Sequence, residues 1–262
     1  MQNGLIKSEE ELNKLRISSL LVGKTLAEVA KNIKPGVTTL ELDRIAEKFI
    51  LDNGGKPGFK GYNGYPATLC TSVNQEIVHG IPDNYELKEG DIISVDCGTI
   101  IDGYYGDYAY TFPVGKIAPE VALLLERTKE SLYKGIEKAV AGNRTGDIGY
   151  AVQSYTEQFG YGVVRELCGH GIGTNMHEKP EVLNYGRRGT GTKLEKGMVM
   201  CIEPMINLGT YHIKMLNDGW TIKTKDGKHS AHYEKQLAIG KHQADVLISY
   251  DEINEVLKNK NN

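Results

Sequence analysis

The stretch GDIISVDCGTIIDGYYGDYAY, residues 90–110, predicts a buried β-hairpin that carries two aspartates. It is apolar around Asp96, Asp102-Gly103 is a turn signal, and the part around Asp107 is rich in tyrosine. Side chains of a strand alternate between its two faces. In a hairpin that closes near residues 101–103, both aspartates are therefore predicted to lie on the same face, opposite or diagonal to each other.

Two carboxylates this close to each other need a partner of opposite charge. Like charges that face each other destabilise a sheet, and burying a carboxylate without a partner costs roughly several kcal/mol. The ordinary alternative is a pair of aspartates solvated on an exposed sheet face. The apolar neighbours of Asp96 argue against that alternative, so a metal ion between Asp96 and Asp107 is the first hypothesis for the hairpin.

The composition is that of an ordinary globular protein, with 262 residues of which 40% are hydrophobic and 25% charged. The formal net charge is only -3 and both signs are interspersed, so neither nucleic acid nor an anionic membrane is an expected partner. The first residues lack the apolar core of a signal peptide, and no segment approaches the roughly 18 apolar residues of a spanning helix. We therefore expect a cytoplasmic protein.

The cysteines are scattered along the chain without a CxxC pair. They are Cys70, Cys97, Cys168 and Cys201. This pattern favours reduced, buried thiols and argues against a disulfide framework or a zinc knuckle.

The predicted elements follow the order helices, strands, helices, strands. Four helices are predicted: from the capping box at Ser8 to Pro35, from Thr38 to about Leu51, from Pro119 to about Val140, and from Thr145 to about Phe159. The charged C-terminal segment DEINEVLKNKNN is predicted to be a solvated terminus.

The recurring order of elements suggests two related halves within one domain. LKEGDIISVD, residues 87–96, aligns with LEKGMVMCIE, residues 194–203, and superimposes Asp96 on Glu203. After Glu203 the chain turns and returns in SAHYEKQLAI, which carries Glu234. We therefore predict a single catalytic domain over 1–262 with an internal repeat, about 1–120 and about 121–250.

Four carboxylates are predicted to converge where the halves meet, and they suit a pair of divalent ions. The segment CGHGIGTNMHEKP adds one imidazole, His170, in a glycine-rich turn. Four carboxylates carry too much charge for one divalent ion but suit two ions about 3.5 to 4 Å apart, as in dinuclear hydrolases. Oxygen donors without a thiolate favour Mn, Fe(II) or Co, with Zn or Ni as alternatives.

Five linked segments resemble the bacterial type I methionine aminopeptidases of the pita-bread metallopeptidase family. They are NGYPATLCTSVNQEIVHGIP, DIISVDCGTIIDGYYGDYAYTF, CGHGIGTNMHEKP, GMVMCIEPM and SAHYEKQLAI, in the order of the family and over essentially the whole chain. The resemblance implies an α+β pita-bread fold, in which two pseudo-symmetric halves form a curved antiparallel sheet covered by helices. It also implies removal of the initiator methionine from nascent polypeptides whose second residue is small.

The resemblance assigns the metal ligands and the catalytic groups. Asp96 would chelate one ion and His170 and Glu203 the other, while Asp107 and Glu234 would bridge them. A hydroxide activated by both ions would attack the first peptide bond. Glu203 would take a proton from the attacking water and pass it to the leaving amine.

Two further histidines have roles that come from the resemblance alone. His79 would hydrogen-bond near the scissile amide nitrogen, and His177 would stabilise the carbonyl oxygen as it gains charge. Without the resemblance, His177 would be read as an exposed loop residue.

The resemblance also assigns a methionine pocket. Its residues would be Phe59, Tyr62, Tyr65, Cys70 and Trp220, although aromatic residues of this kind can equally belong to a core. Many bacterial relatives carry cysteine where this chain has Phe59 and histidine where it has Asn63. Asn74 and Ser230 match positions that hold a monovalent cation in some relatives.

Two alternatives remain open from the sequence. A proline-directed (Xaa-Pro) aminopeptidase of the same fold would usually carry an additional N-terminal domain, which this length argues against. A non-catalytic pita-bread binding module would not need all five ligands.

We expect a monomer that acts on nascent chains, and we also expect transient contact with the ribosome. Four histidines receive no role: His212, His229, His232 and His242.

Overall fold

The hairpin at residues 90–110 is present and pairs over its whole length. In the computed structural model, which describes residues 5–260, β4 (Ile92–Ile101) pairs antiparallel with β5 (Tyr104–Pro113). Asp102 and Gly103 both have positive φ, 50° and 80°, as a type I′ turn requires.

The register of this hairpin places the two aspartates on one face. Asp96 is paired with Ala109, and Asp107 with Gly98. Asp96 and Asp107 are therefore diagonal neighbours on the same face, as the spacing of residues around the turn predicts.

Fifteen strands occur among the described residues. In addition to β4 and β5 they are β1 (Lys56–Pro57), β2 (Leu69–Val73), β3 (Glu76–Val78), β6 (Gly162–Val163), β7 (Cys168–Gly171), β8 (Glu178–Leu183), β9 (Val199–Ile202), β10 (Met205–Asn207), β11 (Ile213–Met215), β12 (Ile222–Thr224), β13 (Ser230–His232), β14 (Lys235–Ala238) and β15 (Asp245–Val246). They form four sheets, and the strands within each sheet are antiparallel.

The two larger sheets meet where β5 adjoins the start of β14. One sheet contains β1, β2, β4 and β5, and the other has the order β15-β14-β9-β7-β8. The Glu234 backbone N–H donates to the Ala109 carbonyl at 3.0 Å, and the Asp107 N–H donates to Gln236 Oε1 at 3.1 Å. These bonds join β5 to the start of β14 and bring the four carboxylates to one seam.

Five α-helices within residues 5–260 cover the sheets. They are α1 (Glu9–Asn32), α2 (Thr39–Asp52), α3 (Pro119–Ile136), α4 (Thr145–Glu157) and α5 (Asp251–Lys260). The capping box at Ser8 is present, with Glu11 N–H on Ser8 Oγ and Ser8 N–H on the Glu11 carboxylate. No helix among residues 5–260 has the length and apolar character of a bilayer span.

The predicted ends of the third and fourth helices differ from the structure. The third helix ends at Ile136 rather than near Val140, because the chain turns there and the Val140 N–H bonds the Lys138 carbonyl instead of continuing the helix. The fourth helix ends at Glu157 rather than near Phe159. Both differences lie in the last turn, where helices commonly fray.

The C-terminal segment is a packed helix, so the prediction of a solvated terminus is wrong. Ile253 of α5 is only 1% exposed, and Val256 and Leu257 pack with it at helical spacing against the core. The Lys260 ammonium donates to the Ile33 carbonyl at the end of α1. The many charged residues of this segment favoured the solvated prediction, although one narrow apolar stripe is present.

The outermost residues of the predicted domain, 1–4 and 261–262, lie outside the described residues.

Candidate metal centre and substrate pocket

Two pairs of carboxylates, one from each half of the chain, face each other at the seam between the larger sheets. The first pair is Asp96 and Asp107 on the β4–β5 hairpin. The second pair is Glu203, directly after β9, and Glu234, directly before β14, where Ile202 is paired with Lys235. Pro204 lacks a backbone N–H, so β9 stops just before it and leaves Glu203 at the strand end.

His170 lies between the two carboxylate pairs. Its Nε2 is 3.7 Å from Asp107 Oδ2 and 3.6 Å from Glu203 Oε1. Its Nδ1 is 3.0 Å from the Gly171 carbonyl oxygen, which can only accept. Nδ1 therefore carries the proton, and the lone pair of Nε2 points at the carboxylates, as in histidines that bind metals.

The four carboxylates cannot all be ionised without a cation. Burial raises the pKa of Asp96 to about 7. Burial, and then the carboxylates of Glu234 and Asp96, raise the pKa of Asp107 well above its ordinary value. Burial and neighbouring carboxylates likewise raise the pKa of Glu203 and of Glu234. Burial lowers the pKa of His170 to about 4, so its imidazole is neutral at pH 7.

The donor atoms fit divalent cations. Asp96 Oδ1, Asp107 Oδ1 and Glu234 Oε1 are buried and have no hydrogen-bond partner. Buried carboxylate oxygens without donors are costly, whereas a hard divalent cation would satisfy several at once. Ligand atoms of Asp107, His170 and Glu234 lie within 4.8 Å of one another.

A thiol joins this cluster, which the sequence did not predict. Cys201 Sγ lies within the same 4.8 Å grouping as Asp107, His170 and Glu234. Burial, and then the surrounding carboxylates, raise the pKa of the Cys201 thiol well above its ordinary value. Cys70 and Cys97 are buried, as expected for small apolar residues, and Cys168 is half-buried.

The carboxylates form the floor of a pocket of about 300 Å³. All five residues of the predicted methionine pocket line it: Phe59, Tyr62, Tyr65, Cys70 and Trp220. Asn63, Val78, Leu167, Met176 and Met205 line it as well, together with the metal-ligand candidates. Cys70 is directly paired with Asp96 on β2 and β4, which connects the apolar wall to the carboxylate floor.

The walls of the pocket are held by specific contacts. Tyr65 and Trp220 meet edge to face with ring centroids 5.1 Å apart, and the Tyr65 hydroxyl donates to the carbonyls of Leu69 and Gly80. Gly98 leaves room for Phe59, because a Cβ there would lie 2.6 Å from the Phe59 ring.

His79 faces the pocket from a strained backbone position. It follows β3 with φ of 59°, which is uncommon for a residue other than glycine and is often found at functional sites. Its ring centroid is 6.4 Å from that of Trp220. Burial and the nearby His177 lower the pKa of His79 to about 4, so the imidazole is neutral at pH 7.

His177 lies at the exposed rim of the same pocket. Its Nδ1 is 2.8 Å from the Tyr62 hydroxyl, and its ring centroid is 4.3 Å from that of His170. Burial of the ring lowers the pKa of His177. The structure thus brings all three predicted catalytic residues, His79, His177 and Glu203, to one pocket.

Asn74 and Ser230 are neighbours, as their predicted shared cation site requires. The Ser230 N–H donates to the Asn74 carbonyl at 2.9 Å. The Asn74 side chain is held by Asp91, whose Oδ1 accepts from it at 2.8 Å.

The sequence predicts no role for His232, whereas the structure places its ring beside two of the ligand candidates. Its Nε2 is 4.0 Å from Glu203 Oε2 and 3.9 Å from Glu234 Oε2. Sequence spacing could have indicated this placement, because side chains two residues apart on an extended chain share a face. His232 precedes Glu234 by two residues, and Cys201 precedes Glu203 by two. His212 and His242, in contrast, are exposed.

Comparisons with known proteins agree with this architecture. The profile of metallopeptidase family M24 matches residues 13–241. The methionine aminopeptidase of Clostridium acetobutylicum is 53% identical over 244 residues, which are 93% of this chain and 98% of that protein. Methionine aminopeptidase 1 of Bacillus subtilis is 48% identical over 243 residues, again 93% of this chain and 98% of that protein.

A solved structure gives the same result for the fold. The crystal structure of methionine aminopeptidase from Rickettsia prowazekii has a TM-score of 0.91 and 41% identity, covering 92% of this chain and 98% of that one. The predicted α+β pita-bread fold is therefore confirmed. The chain belongs to metallopeptidase family M24 and, within it, to the methionine aminopeptidases of the bacterial type I kind.

Proposed function

We infer that this chain is a metal-dependent aminopeptidase that removes the N-terminal initiator methionine from nascent proteins when the second residue is small. The observation that carries the inference is the placement of two carboxylate pairs and His170 at the floor of one aromatic-walled pocket. That pocket offers a charged end and an apolar end at a short distance, which matches the free amine and the side chain of an N-terminal methionine.

The five ligands would hold two divalent ions. Asp96 would chelate one ion, His170 and Glu203 would bind the other, and Asp107 and Glu234 would bridge them. The oxygen-rich set favours Mn, Fe(II) or Co, with Zn or Ni as weaker fits. When bound, such a pair of ions acidifies water and polarises the scissile carbonyl.

Glu203 is the group best placed to move the proton of the attacking water. It stands at the end of β9, and its side chain is 13% exposed, whereas those of Asp107 and Glu234 are 5% and 3% exposed. A carboxylate at this edge can accept a proton from water and return it to the leaving amine.

The two pocket histidines would act as neutral hydrogen-bonding groups. If the Tyr62 hydroxyl donates to His177 Nδ1, the proton of His177 stands on Nε2, where it can bond the substrate carbonyl oxygen as that oxygen becomes negative. His79, beside Trp220 in the same pocket, would bond the scissile amide nitrogen. Both contacts gain strength in the transition state, so both raise the rate of the chemical step.

The apolar end of the pocket suits an unbranched thioether. The rings of Phe59, Tyr65 and Trp220 can each contact sulfur, and such contacts contribute about 0.3 to 1.5 kcal/mol. Cys70 and Tyr62 complete this end. Phe59 and Asn63 distinguish this pocket from that of many bacterial relatives, so we expect a distinct inhibitor preference.

The proposal also covers the domain organisation, oligomeric state, cellular location and partners of the enzyme. We propose a single catalytic domain over 1–262 that acts as a monomer in the cytoplasm on emerging polypeptide N-termini, with transient ribosome contact, and without nucleic acid or membrane partners. A monovalent cation near Asn74 and Ser230 would tie β13 to the loop that follows β2.

A peptide panel tests the proposal directly. Protein reconstituted with Mn²⁺ or Co²⁺ is expected to release methionine from Met-Gly and Met-Ala peptides and to leave Xaa-Pro peptides intact. Cleavage of Xaa-Pro peptides with no action on Met-Gly would favour the proline-directed alternative. A protein that binds no ion, or one that cleaves equally well after Glu203→Ala, would favour a non-catalytic binding module.

A further inference from the structure

His232 is a buried imidazole whose ring has no partner. It ends β13, its residue is 1% exposed, and neither Nδ1 nor Nε2 makes a hydrogen bond. A buried polar group without a partner costs about 1 to 3 kcal/mol, and such groups are few in folded proteins. The position therefore calls for a functional explanation.

The backbone of His232 is fixed on the hairpin that carries Asp107. The His232 N–H donates to Thr111 Oγ1 at 2.9 Å, and the same hydroxyl donates to the His232 carbonyl at 2.7 Å. On its other side His232 is paired with Met205 of β10. The backbone of His232 is therefore held on both sides, and this fixes the position from which the ring extends.

The ring points at two of the proposed ligands. His232 Nε2 is 4.0 Å from Glu203 Oε2 and 3.9 Å from Glu234 Oε2. His170 approaches the other oxygen of the same glutamate, with Nε2 at 3.6 Å from Glu203 Oε1. Glu203 is thus flanked by an imidazole on each of its two carboxylate oxygens.

The two imidazoles differ in the partners that face their ring nitrogens. His170 bonds a carbonyl oxygen through Nδ1 and so offers a lone pair from Nε2. His232 has no such partner for Nδ1, while two carboxylates, which can only accept when ionised, face its Nε2. A neutral imidazole has one N–H to donate.

We propose that His232 is a positioning residue. Its Nε2–H donates to Glu203 Oε2 and holds this carboxylate in the orientation required to accept a proton from the water that attacks the first peptide bond. A movement of about 1 Å closes the 4.0 Å separation to hydrogen-bond length. The proposal rests on the proposed function, because it assigns the partner of the group that moves the proton. Glu234, which would use both oxygens as a bridging ligand, is the less available acceptor.

Paired substitutions at His232 test this role by kinetics. His232→Ala is expected to lower kcat by about tenfold to a hundredfold, the usual worth of one hydrogen bond to a charged group, with KM changed by less than about threefold. His232→Gln places an amide N–H near the position of Nε2 and is expected to recover kcat to within a few-fold of the parent. His242→Ala removes an exposed imidazole and serves as the matched control. Equal losses in the alanine and glutamine variants, or a change in KM alone, would overturn the proposal.

A measurement that does not depend on turnover distinguishes this role from metal ligation. Calorimetric titration of metal-free protein with Mn²⁺ should give the same number of bound ions for the parent, His232→Ala and His232→Gln. Loss of one equivalent in both variants would make His232 a ligand and the proposal wrong.

The proton itself can be observed. Ring-nitrogen NMR of the Zn²⁺-loaded parent, assigned with His232→Gln, should show a protonated Nε2 and an unprotonated Nδ1 at His232. The reverse tautomer would contradict the proposal. If the parent cleaves no methionyl peptide while this signal is present, the proposed function fails and the hydrogen bond stands.

Discussion

The two halves of the molecule solve the same problem with different chain geometry. In the first half Asp96 and Asp107 lie on one continuous hairpin closed by a two-residue turn, and they are diagonal neighbours. In the second half Glu203 and Glu234 lie at paired strand ends, and the chain between them makes the four short strands β10–β13.

This difference separates two tasks. In the first half the carboxylates lie within continuous strands, whereas in the second half they lie at strand ends, where Glu203 has His170 and His232 as neighbours. We expect substitution of Glu203 in the second half to affect the chemical step most, and substitutions in the hairpin of the first half to affect metal affinity, pocket shape and stability.

The largest expected effect is that of Glu203→Gln. Loss of the proton-accepting carboxylate should lower kcat by roughly 10² to 10⁴, with little change in KM. Steady-state kinetics on a Met-Ala peptide measures the change, and metal analysis confirms that ions are still bound. Wild-type kcat in a variant that retains its ions would remove Glu203 from the proton-transfer role.

The next effect is a pH dependence of the stability of the metal-free protein. Burial raises the pKa of Asp96 in the folded, metal-free protein to about 7, whereas an unfolded aspartate titrates near 4. Between about pH 4 and pH 7 the folded state therefore holds a proton that the unfolded state has lost. The stability of the metal-free protein should fall as pH rises through this window, by about 1.4 kcal/mol per pH unit for each such proton.

Thermal unfolding of chelator-treated protein between pH 4.5 and pH 8 measures this slope. Saturating Mn²⁺ should offset the loss above pH 7, because the ions replace the protons. Asp96→Asn should give a shallower slope in the metal-free state. A metal-free protein that becomes more stable as pH rises to 7 would contradict the proposed crowding of carboxylates.

A smaller effect is expected from Gly98→Ala on the hairpin. A Cβ at Gly98 would lie 2.6 Å from the Phe59 ring and 2.8 Å from Met176 Cε, so the pocket wall must move. We expect KM for methionyl peptides to rise by roughly tenfold, on the scale of a methyl-sized misfit in an apolar pocket, while metal binding is unchanged.

The matched control for this change is Gly103→Ala in the same hairpin. Gly103 has φ of 80° and open space around it, so alanine should cost about 1 kcal/mol of stability without affecting KM. Equal kinetic effects of the two substitutions would show that Gly98 does not shape the pocket.

The smallest effect on activity is expected at the seam between the halves. The Tyr250 hydroxyl bonds the carbonyls of Ala109 and Glu234, one from each half. Tyr250→Phe should lower the free energy of unfolding by about 1 to 3 kcal/mol and change kcat by less than about twofold. Urea denaturation measures the first and peptide kinetics the second. A variant as stable as the parent would show that this bond contributes nothing to joining the halves.

The sequence predicts the first half from local signals and the second half only by analogy. The turn at Asp102-Gly103 is sufficient to give the register of β4 and β5, and hence the shared face of Asp96 and Asp107. Glu203 and Glu234 are separated by a long segment without a local sequence signal for their pairing, so the prediction depends on the alignment of 87–96 with 194–203.

What the sequence did not predict depends on tertiary contacts. The ring of His232 reaches Glu203 because Thr111 holds its backbone, a contact across 121 residues. The terminal helix α5 was missed because its apolar stripe is narrow and its stability comes from packing against the core rather than from helix propensity.

The most direct test of the central claim is anomalous diffraction from crystals of Mn²⁺-reconstituted protein, recorded on both sides of the manganese absorption edge. The account predicts two anomalous peaks about 3.5 to 4 Å apart, contacted by Asp96, Asp107, His170, Glu203 and Glu234. A single peak, no peak, or two ions held by other side chains would contradict it.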